Sequence, residues 1–289
     1  MVLTGPDASH HQGSINWQQV KSAGHSYAFI KATEGRSYQF TDWYNQNIGP
    51  LKASGLVPGA YHFLRSDSDP VAQADYFINT VGNFTDMLAA VDVETGSNNS
   101  KPTADQARAF ANRFEERVPG HQIIVYTGRW YWRDTIGNPP GSDIGPLWHS
   151  AYSSSPGALY GGWDSFTFWQ HTSSGSCPGI AGNCDLNKFY GTLDELRILT
   201  GRVPTPAPVP DPVPEDFMGD EMLILANCTD GRGALVFLGD AGPVGWFGLN
   251  STDRSAYAAS GIVVVNGLTT DGFAKWTAFP RLEVPPANV

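Results

Sequence analysis

Between Val203 and Glu215 the chain reads VPTPAPVPDPVPE, with proline at every second position from Pro204 to Pro214. Each proline fixes φ and removes an N–H donor, so neither a helix nor a central strand runs through this stretch. An extended, semi-rigid spacer is expected instead. It divides the 289 residues into a first domain at 1–202, a linker at 203–215 and a second domain at 216–289. The two sides are therefore read separately.

The first domain alternates strand and helix signals. Asn16 caps WQQVKSA, which ends at Gly24, and YAFIKAT (27–33) is an apolar strand. Residues 42–54 are helical and closed by Gly55, and 56–63 is a strand. Asp69 caps the next helix, with Pro70 at its first position and Gly82 behind it. MLAAVDVE (87–94) is a strand. Residues 103–118 form an amphipathic helix whose apolar face carries Ala107, Phe110, Ala111 and Phe114. HQIIVYT (121–127) is a strand, after which the helices weaken and LWHSAY and SFTFWQH read as further strands. This order implies parallel strands with crossover helices, buried on both faces. About seven or eight strands fit, which predicts an α/β fold, an irregular (β/α) TIM-like barrel with short late helices. A doubly wound sheet would normally carry a Gly-rich phosphate turn, and no G-x-G-x-x-G follows the first strand.

Charge and export signals narrow the partners. Residues 1–202 hold 14 Lys+Arg against 18 Asp+Glu, and 203–289 hold 4 against 10. Without a basic patch, neither nucleic acid nor an anionic membrane surface is an expected partner. The opening MVLTGPDASHH has no basic region and no apolar stretch of signal-peptide length. No run approaches the ~20 apolar residues of a membrane helix, so no membrane insertion is expected. Cys177 and Cys184 flank a Gly/Pro loop, SCPGIAGNC, and read either as a small disulfide or as two reduced thiols; Cys228 is left over. No Cys/His spacing resembles a zinc site. His10 and His11 are adjacent, so on an extended backbone they face opposite ways. No metal or organic cofactor is expected.

In such a barrel the catalytic residues lie at the C-terminal ends of strands. Those ends supply Asp7, Glu34, Tyr61, His62, Asp92 with Glu94, Tyr126, Tyr152 and Gln170. There is no G-x-S-x-G elbow and no two-histidine metal pair. Acids beside aromatic rings suit a sugar site. Asp92-Val93-Glu94 is the most informative element, because residues i and i+2 of a strand point to one face. Two like charges at close range, partly desolvated, push one pKa up. The acid that keeps its proton can act as the general acid that glycoside hydrolysis requires. Plainer roles exist for each residue. D-x-E closes many strands, Glu34 can pair with Lys31 or Arg36, and Asp185 can close an Asx turn. Tyr61, Tyr126 and Trp148 can be simple core.

Taken together, DASHHQGSINW, YAFIKATEG, GAYHF, VDVE, the Tyr126–Thr127 pair, LWHSAY, FWQ and CDLN appear in order over roughly residues 3–200. As a set they resemble the family 25 glycoside hydrolases. These are the Chalaropsis-type lysozymes of bacteria, fungi and many phage endolysins. The resemblance implies an irregular (β/α) barrel and N-acetylmuramidase activity on the β-1,4 bond of peptidoglycan. It implies Glu94 as the acid, with Asp92, Asp7 and Asp185 as further active-site acids. Glu34, Tyr61 and Tyr126 are the expected substrate contacts. Two departures stand out: Ala8 where a β-branched residue is common, and a cysteine-bearing approach to the D-L-N pattern. Two mechanisms follow from this set. In one, Glu94 protonates the leaving oxygen while the substrate's own 2-acetamido group attacks, its N–H oriented by Asp92. In the other, Asp7 or Asp185 activates water for direct inversion.

Residues 216–289 hold short apolar runs, MLILAN, GALVFLG, VGWFGLN and GIVVVNG, between Gly and Asn. They read as a small, mostly-β domain with one short helix at 252–260. No catalytic constellation stands out. On a proline spacer behind a wall hydrolase, the domain reads as a wall-binding module, with Trp246, Phe247 and Trp276 as stacking or core residues. The alternatives are an oligomerisation domain and a phage structural attachment. The leading functional class is a muramidase waiting in a host cytoplasm until lysis, as an endolysin would. The alternatives are a virion-associated version of the enzyme and a non-catalytic carbohydrate-binding barrel.

Overall fold

The computed structural model describes residues 2–201 and, beyond them, four strands at 222–228, 233–239, 242–249 and 263–268. The spacer at 203–215, the helix expected at 252–260 and Trp276 lie outside the described residues. The chain divides into two compact units, Met1–Val203 and Pro204–Val289.

The first unit opens with β1 (Val2–Ala8), α1 (Trp17–Ser22) and β2 (Tyr27–Glu34). It continues through α2 (Thr41–Ala53), β3 (Val57–Phe63), α3 (Pro70–Val81), β4 (Leu88–Asp92) and α4 (Ala104–Arg117). The remainder is β5 (Ile124–Gly128), α5 (Arg129–Trp132), β6 (Leu147–Ser150), β7 (Phe168–Gly175), β8 (Cys184–Tyr190) and α6 (Leu193–Ile198). The helix starts follow from their caps. The Asn16 side chain accepts from the Gln19 N–H, and Asp69 accepts from Val71 with Pro70 behind it. Thr103 and Gln106 cap each other reciprocally.

The eight strands close a barrel in sequence order. From β1 to β7 every neighbouring pair is parallel. The all-parallel expectation fails at β8, which runs antiparallel to both β7 and β1. Only residues 176–183 separate β7 from β8, and a parallel return needs a crossover of a dozen residues or more. The chain turns back as a hairpin instead. That reversal brings the start of β8, rather than its end, to the rim where the other strands finish.

Strand alternation sorts two cores. Tyr27, Phe29, Leu88, Ala90, Ile124, Trp148, Phe168 and Phe189 fill the barrel interior. Ala28, Ile30, Ala89, Val91 and Val125 face outward, against Phe77, Phe110, Ala111 and Phe114 of the helices. Inside, Phe29 stacks on Trp148 with ring centroids 4.3 Å apart, and Phe168 meets Phe29 edge-on at 5.4 Å. The interior is thus a plugged core with a polar layer only at its mouth. Cys177 and Cys184 are free, buried thiols in the outer core.

In the second unit, β9 (Met222–Cys228), β10 (Gly233–Gly239), β11 (Gly242–Leu249) and β12 (Val263–Leu268) form one sheet in the order β11-β10-β9-β12. β10 is antiparallel to both of its neighbours, whereas β12 joins β9 in parallel. Trp246 and Phe247 fall on β11.

Candidate active site

The inward faces of the strands carry polar residues to one rim of the barrel. On β4 the inward series Leu88, Ala90 reaches Asp92, and two residues on, past the strand end, comes Glu94. Asp7 ends the inward series of β1, and Tyr61, followed by Phe63, reaches the rim from β3. Tyr126 and Gln170 reach it from β5 and β7. On β8 the reversed direction brings Asp185 up, and the register sets it directly opposite Asp7. These residues, with Lys31, Trp148, Tyr152, Ser9, His11 and Phe63, line one cavity of about 250 Å³. It unites Asp7, Asp92, Glu94, Asp185, Tyr61 and Tyr126. Glu34 faces a neighbouring cavity instead. His62 points away from the mouth into the outer core, where it bonds Thr33 at 2.7 Å and stacks on Phe110.

A hydrogen-bond network fixes the acids. The Gln170 side-chain oxygen accepts from the hydroxyls of Tyr126 at 2.8 Å, Tyr152 at 2.9 Å and Ser150 at 3.2 Å. Its amide nitrogen is thereby turned to Asp7 Oδ2, to which it donates at 2.8 Å. Asn187 donates to the same oxygen at 2.8 Å and accepts from Trp148 Nε1 at 2.7 Å. Asp185 shares a hydrogen bond with Asp7. Burial and the Asp7 charge push Asp185 up to about 8, so at neutral pH Asp185 carries the shared proton. Asp7 is raised by burial, but three hydrogen bonds favour its charged form.

The Asp92–Glu94 pair behaves differently. Burial holds Asp92 well above the carboxylate range, and the charge of Glu94 adds to it. Glu94 is pushed up to about 7, chiefly by burial. Lys31 opposes both shifts. Asp92 Oδ1 is buried without a hydrogen-bond partner.

Sequence reasoning assigned Lys31 only as a partner for Glu34. It does bond Glu34 at 2.7 Å, but it also lines the acid cavity and sits 4.3 Å from the centre of the Phe63 ring. Its position two residues past the inward Phe29 is the signal that would have found it. Arg65 supplies the second cation to Glu34, at 3.4 Å, in place of the expected Arg36. Asn187 was also missed, because β8 was not read as a strand. His10 and His11 do not face opposite ways. Ser9 caps a short 3-10 turn over His10–Gln12, which brings the two rings to 3.9 Å. Among the described residues, no group of three His, Cys, Asp or Glu side chains is arranged to hold a metal ion.

Protonated carboxyls beside a hydrogen-bonded carboxylate, in a ring-lined cleft at the mouth of an α/β barrel, define a glycosidase. Comparison with known proteins makes the class specific. Residues 6–180 match the model of the glycosyl hydrolases family 25. Lysozyme M1 of Streptomyces globisporus is 35% identical over 68% of this chain and 71% of its own. The N,O-diacetylmuramidase of a Chalaropsis species is 31% identical over 68% of this chain and 99% of its own. Among solved structures, a lysozyme of Streptomyces coelicolor superposes with a TM-score of 0.64 at 33% identity, over 69% of this chain and 97% of its own. The chain belongs to glycosyl hydrolase family 25.

Proposed function

We propose that the barrel unit hydrolyses bacterial peptidoglycan at the β-1,4 bond after N-acetylmuramic acid, with Glu94 as the general acid. The observation that carries this reading is the Asp92–Glu94 pair. Glu94 keeps a proton up to about pH 7, beside a buried Asp92 oxygen with no partner. Glu94 protonates the glycosidic oxygen as its bond to the anomeric carbon breaks. The 2-acetamido oxygen of the substrate attacks that carbon, and the acetamido N–H donates to the Asp92 carboxylate at the cavity wall. That hydrogen bond favours the charged carboxylate, so Asp92 releases its proton to solvent as the acetamido group docks. Asp7 supplies negative charge beside the developing oxocarbenium ion. Water then opens the cyclic intermediate from the opposite side, giving its proton to the Glu94 carboxylate, and the anomeric configuration is retained. The hydrogen bonds already made by Asp7 and Asp185 favour this route over direct inversion. Tyr61 and Tyr126 contact the sugar, and Glu34 acts from the wall through Lys31.

A digest of purified peptidoglycan, with mass spectrometry of the reduced products, tests the assignment. Chains ending in reduced N-acetylmuramic acid are expected. Ends at N-acetylglucosamine would overturn the bond assignment, and absence of soluble product would favour a non-catalytic carbohydrate-binding barrel. An inverted anomer by NMR would exclude the assisted route.

The second unit is proposed as a wall-binding module, which raises the local concentration of the barrel at an insoluble polymer. Deleting residues 203–289 is expected to weaken binding to intact walls. Unchanged binding would refute the module. The cellular setting we propose is that of an endolysin. Expression inside a susceptible bacterium should then cause lysis only once the membrane is permeabilised.

A further inference from the structure

We propose that the cavity beside the acid cleft receives the peptide stem carried by the muramic acid, with Arg36 anchoring one of its carboxylates. The inference rests on the muramidase reading. The cavity is larger than the cleft, about 680 Å³, and its walls include His10, Glu34, Arg36, Tyr38, Phe40 and Tyr76. The two cavities share one partition, the Lys31–Glu34 pair. Lys31 lines the cleft, and Glu34 lines the side cavity.

Charge selects the occupant. Glu34 is neutralised from both sides, Oε2 by Lys31 and Oε1 by Arg65. Arg65 is itself satisfied by Ser97 at 2.7 Å and Asp67 at 3.1 Å. Arg36 differs, being exposed and making no ion pair or hydrogen bond to any described residue. It leaves β2 through Gly35 at φ +54°, where an added Cβ would lie 3.1 Å from the Arg65 side chain. The turn therefore needs glycine, and it sends Arg36 to the cavity wall. In a chain of net charge −10, one unpaired cation at a cavity is a local preference for an anion.

Shape narrows it further. His10 stacks on Phe40 at 3.6 Å with only 9° between their planes, and Tyr38 meets both edge-on. Tyr38 bonds His10 Nδ1 at 2.8 Å. The Tyr76 hydroxyl braces the loop by accepting from the Tyr38 N–H at 3.1 Å and bonding Thr41 Oγ1 at 3.2 Å. The rings thus form a prebuilt apolar wall beside a free guanidinium. The glycan strand carries no charge between its sugars, whereas the stem carries carboxylates next to small alkyl side chains. A neutral glycan would use the rings and leave Arg36 without a partner. A short anionic peptide uses both.

The test compares wild type with Arg36→Ala on soluble glycan chains bearing stems, and on the same chains stripped of stems by an N-acetylmuramoyl amidase, with the lactyl carboxylates that this frees then amidated so that the stripped chains stay neutral. Losing an exposed charge contact is expected to raise KM about fivefold on the stem-bearing chains, with kcat preserved. The change on stripped chains should be less than twofold. Amidating the stem carboxylates should abolish the difference between the two proteins. Equal loss on both substrates would make the cavity a glycan site and overturn the proposal, as would no loss on either. A wild type inactive on both chains would instead refute the muramidase reading. Arg36 is exposed, so the variant is expected to fold, and an unaltered unfolding midpoint checks that.

Discussion

Glu94→Gln removes the proposed acid, and it should also strengthen the barrel at neutral pH. The ordinary value of a glutamate is 4.5, and burial raises Glu94 to about 7. Between those values the native chain holds a proton that the unfolded chain has released. The contribution of Glu94 to stability is therefore fully present below about pH 4.5 and is lost as pH rises through about 7. At about 1.36 kcal/mol per pH unit, the full gap amounts to roughly 3.4 kcal/mol. Glu94 is partly exposed, and solvent screening reduces this to about 1–2 kcal/mol. Glutamine cannot ionise, so the variant escapes the decline. For a domain of this size the gain corresponds to a midpoint higher by about 3–6 °C at pH 8, with little difference at pH 4. The assay is thermal unfolding of both proteins from pH 4 to pH 8, with wall lysis measured on the same samples. Activity should fall by about 10²–10⁴-fold. A variant less stable at every pH, or a gap that ignores pH, would refute the electrostatic argument. Near-normal lysis would remove Glu94 from the acid role.

Three further outcomes follow from the same site. The alkaline limb of kcat/KM should fall near pH 7, where Glu94 loses its proton, and Lys31→Met should move it to higher pH because Lys31 opposes the rise; an unmoved limb would show that Lys31 does not tune the acid. Asn187→Leu strands Trp148 Nε1 and removes a donor from Asp7, so urea denaturation should show a loss of about 2–4 kcal/mol. Thr103→Ala removes the reciprocal cap of α4 and should cost about 1 kcal/mol at unchanged kcat, and a larger loss would point to a role beyond capping.

Much of the barrel could be read from the chain because its signals are local. Asn16, Asp69 and Thr103 cap their helices through their own side chains, and Pro70 and Gly82 bracket α3. The inward placement of Asp92 followed from alternation along one strand. What escaped depends on partners far away in sequence. CDLN carries polar residues on the face that turns inward, so it did not read as a core strand. Its polarity makes sense only once Asp185 stands opposite Asp7 and Asn187 meets Trp148. The histidine pair failed for a local reason. Ser9 and Gln12 form a reciprocal cap that winds the segment into a turn, where adjacency alone had implied extended chain.

The reversed last strand also governs when the site can exist. Asp7 is held by Gln170 and Asn187, 163 and 180 positions further along the chain. Bringing such distant segments together is slow, and nothing in the early strands supplies a substitute. A product truncated ahead of β8 keeps Gln170 and the proposed acid but lacks Asn187 and Asp185 beside Asp7, and its barrel is not closed. Hydrolysis is therefore expected only after β8 has closed the barrel, so the last barrel strand to be made is the one that completes the proposed site.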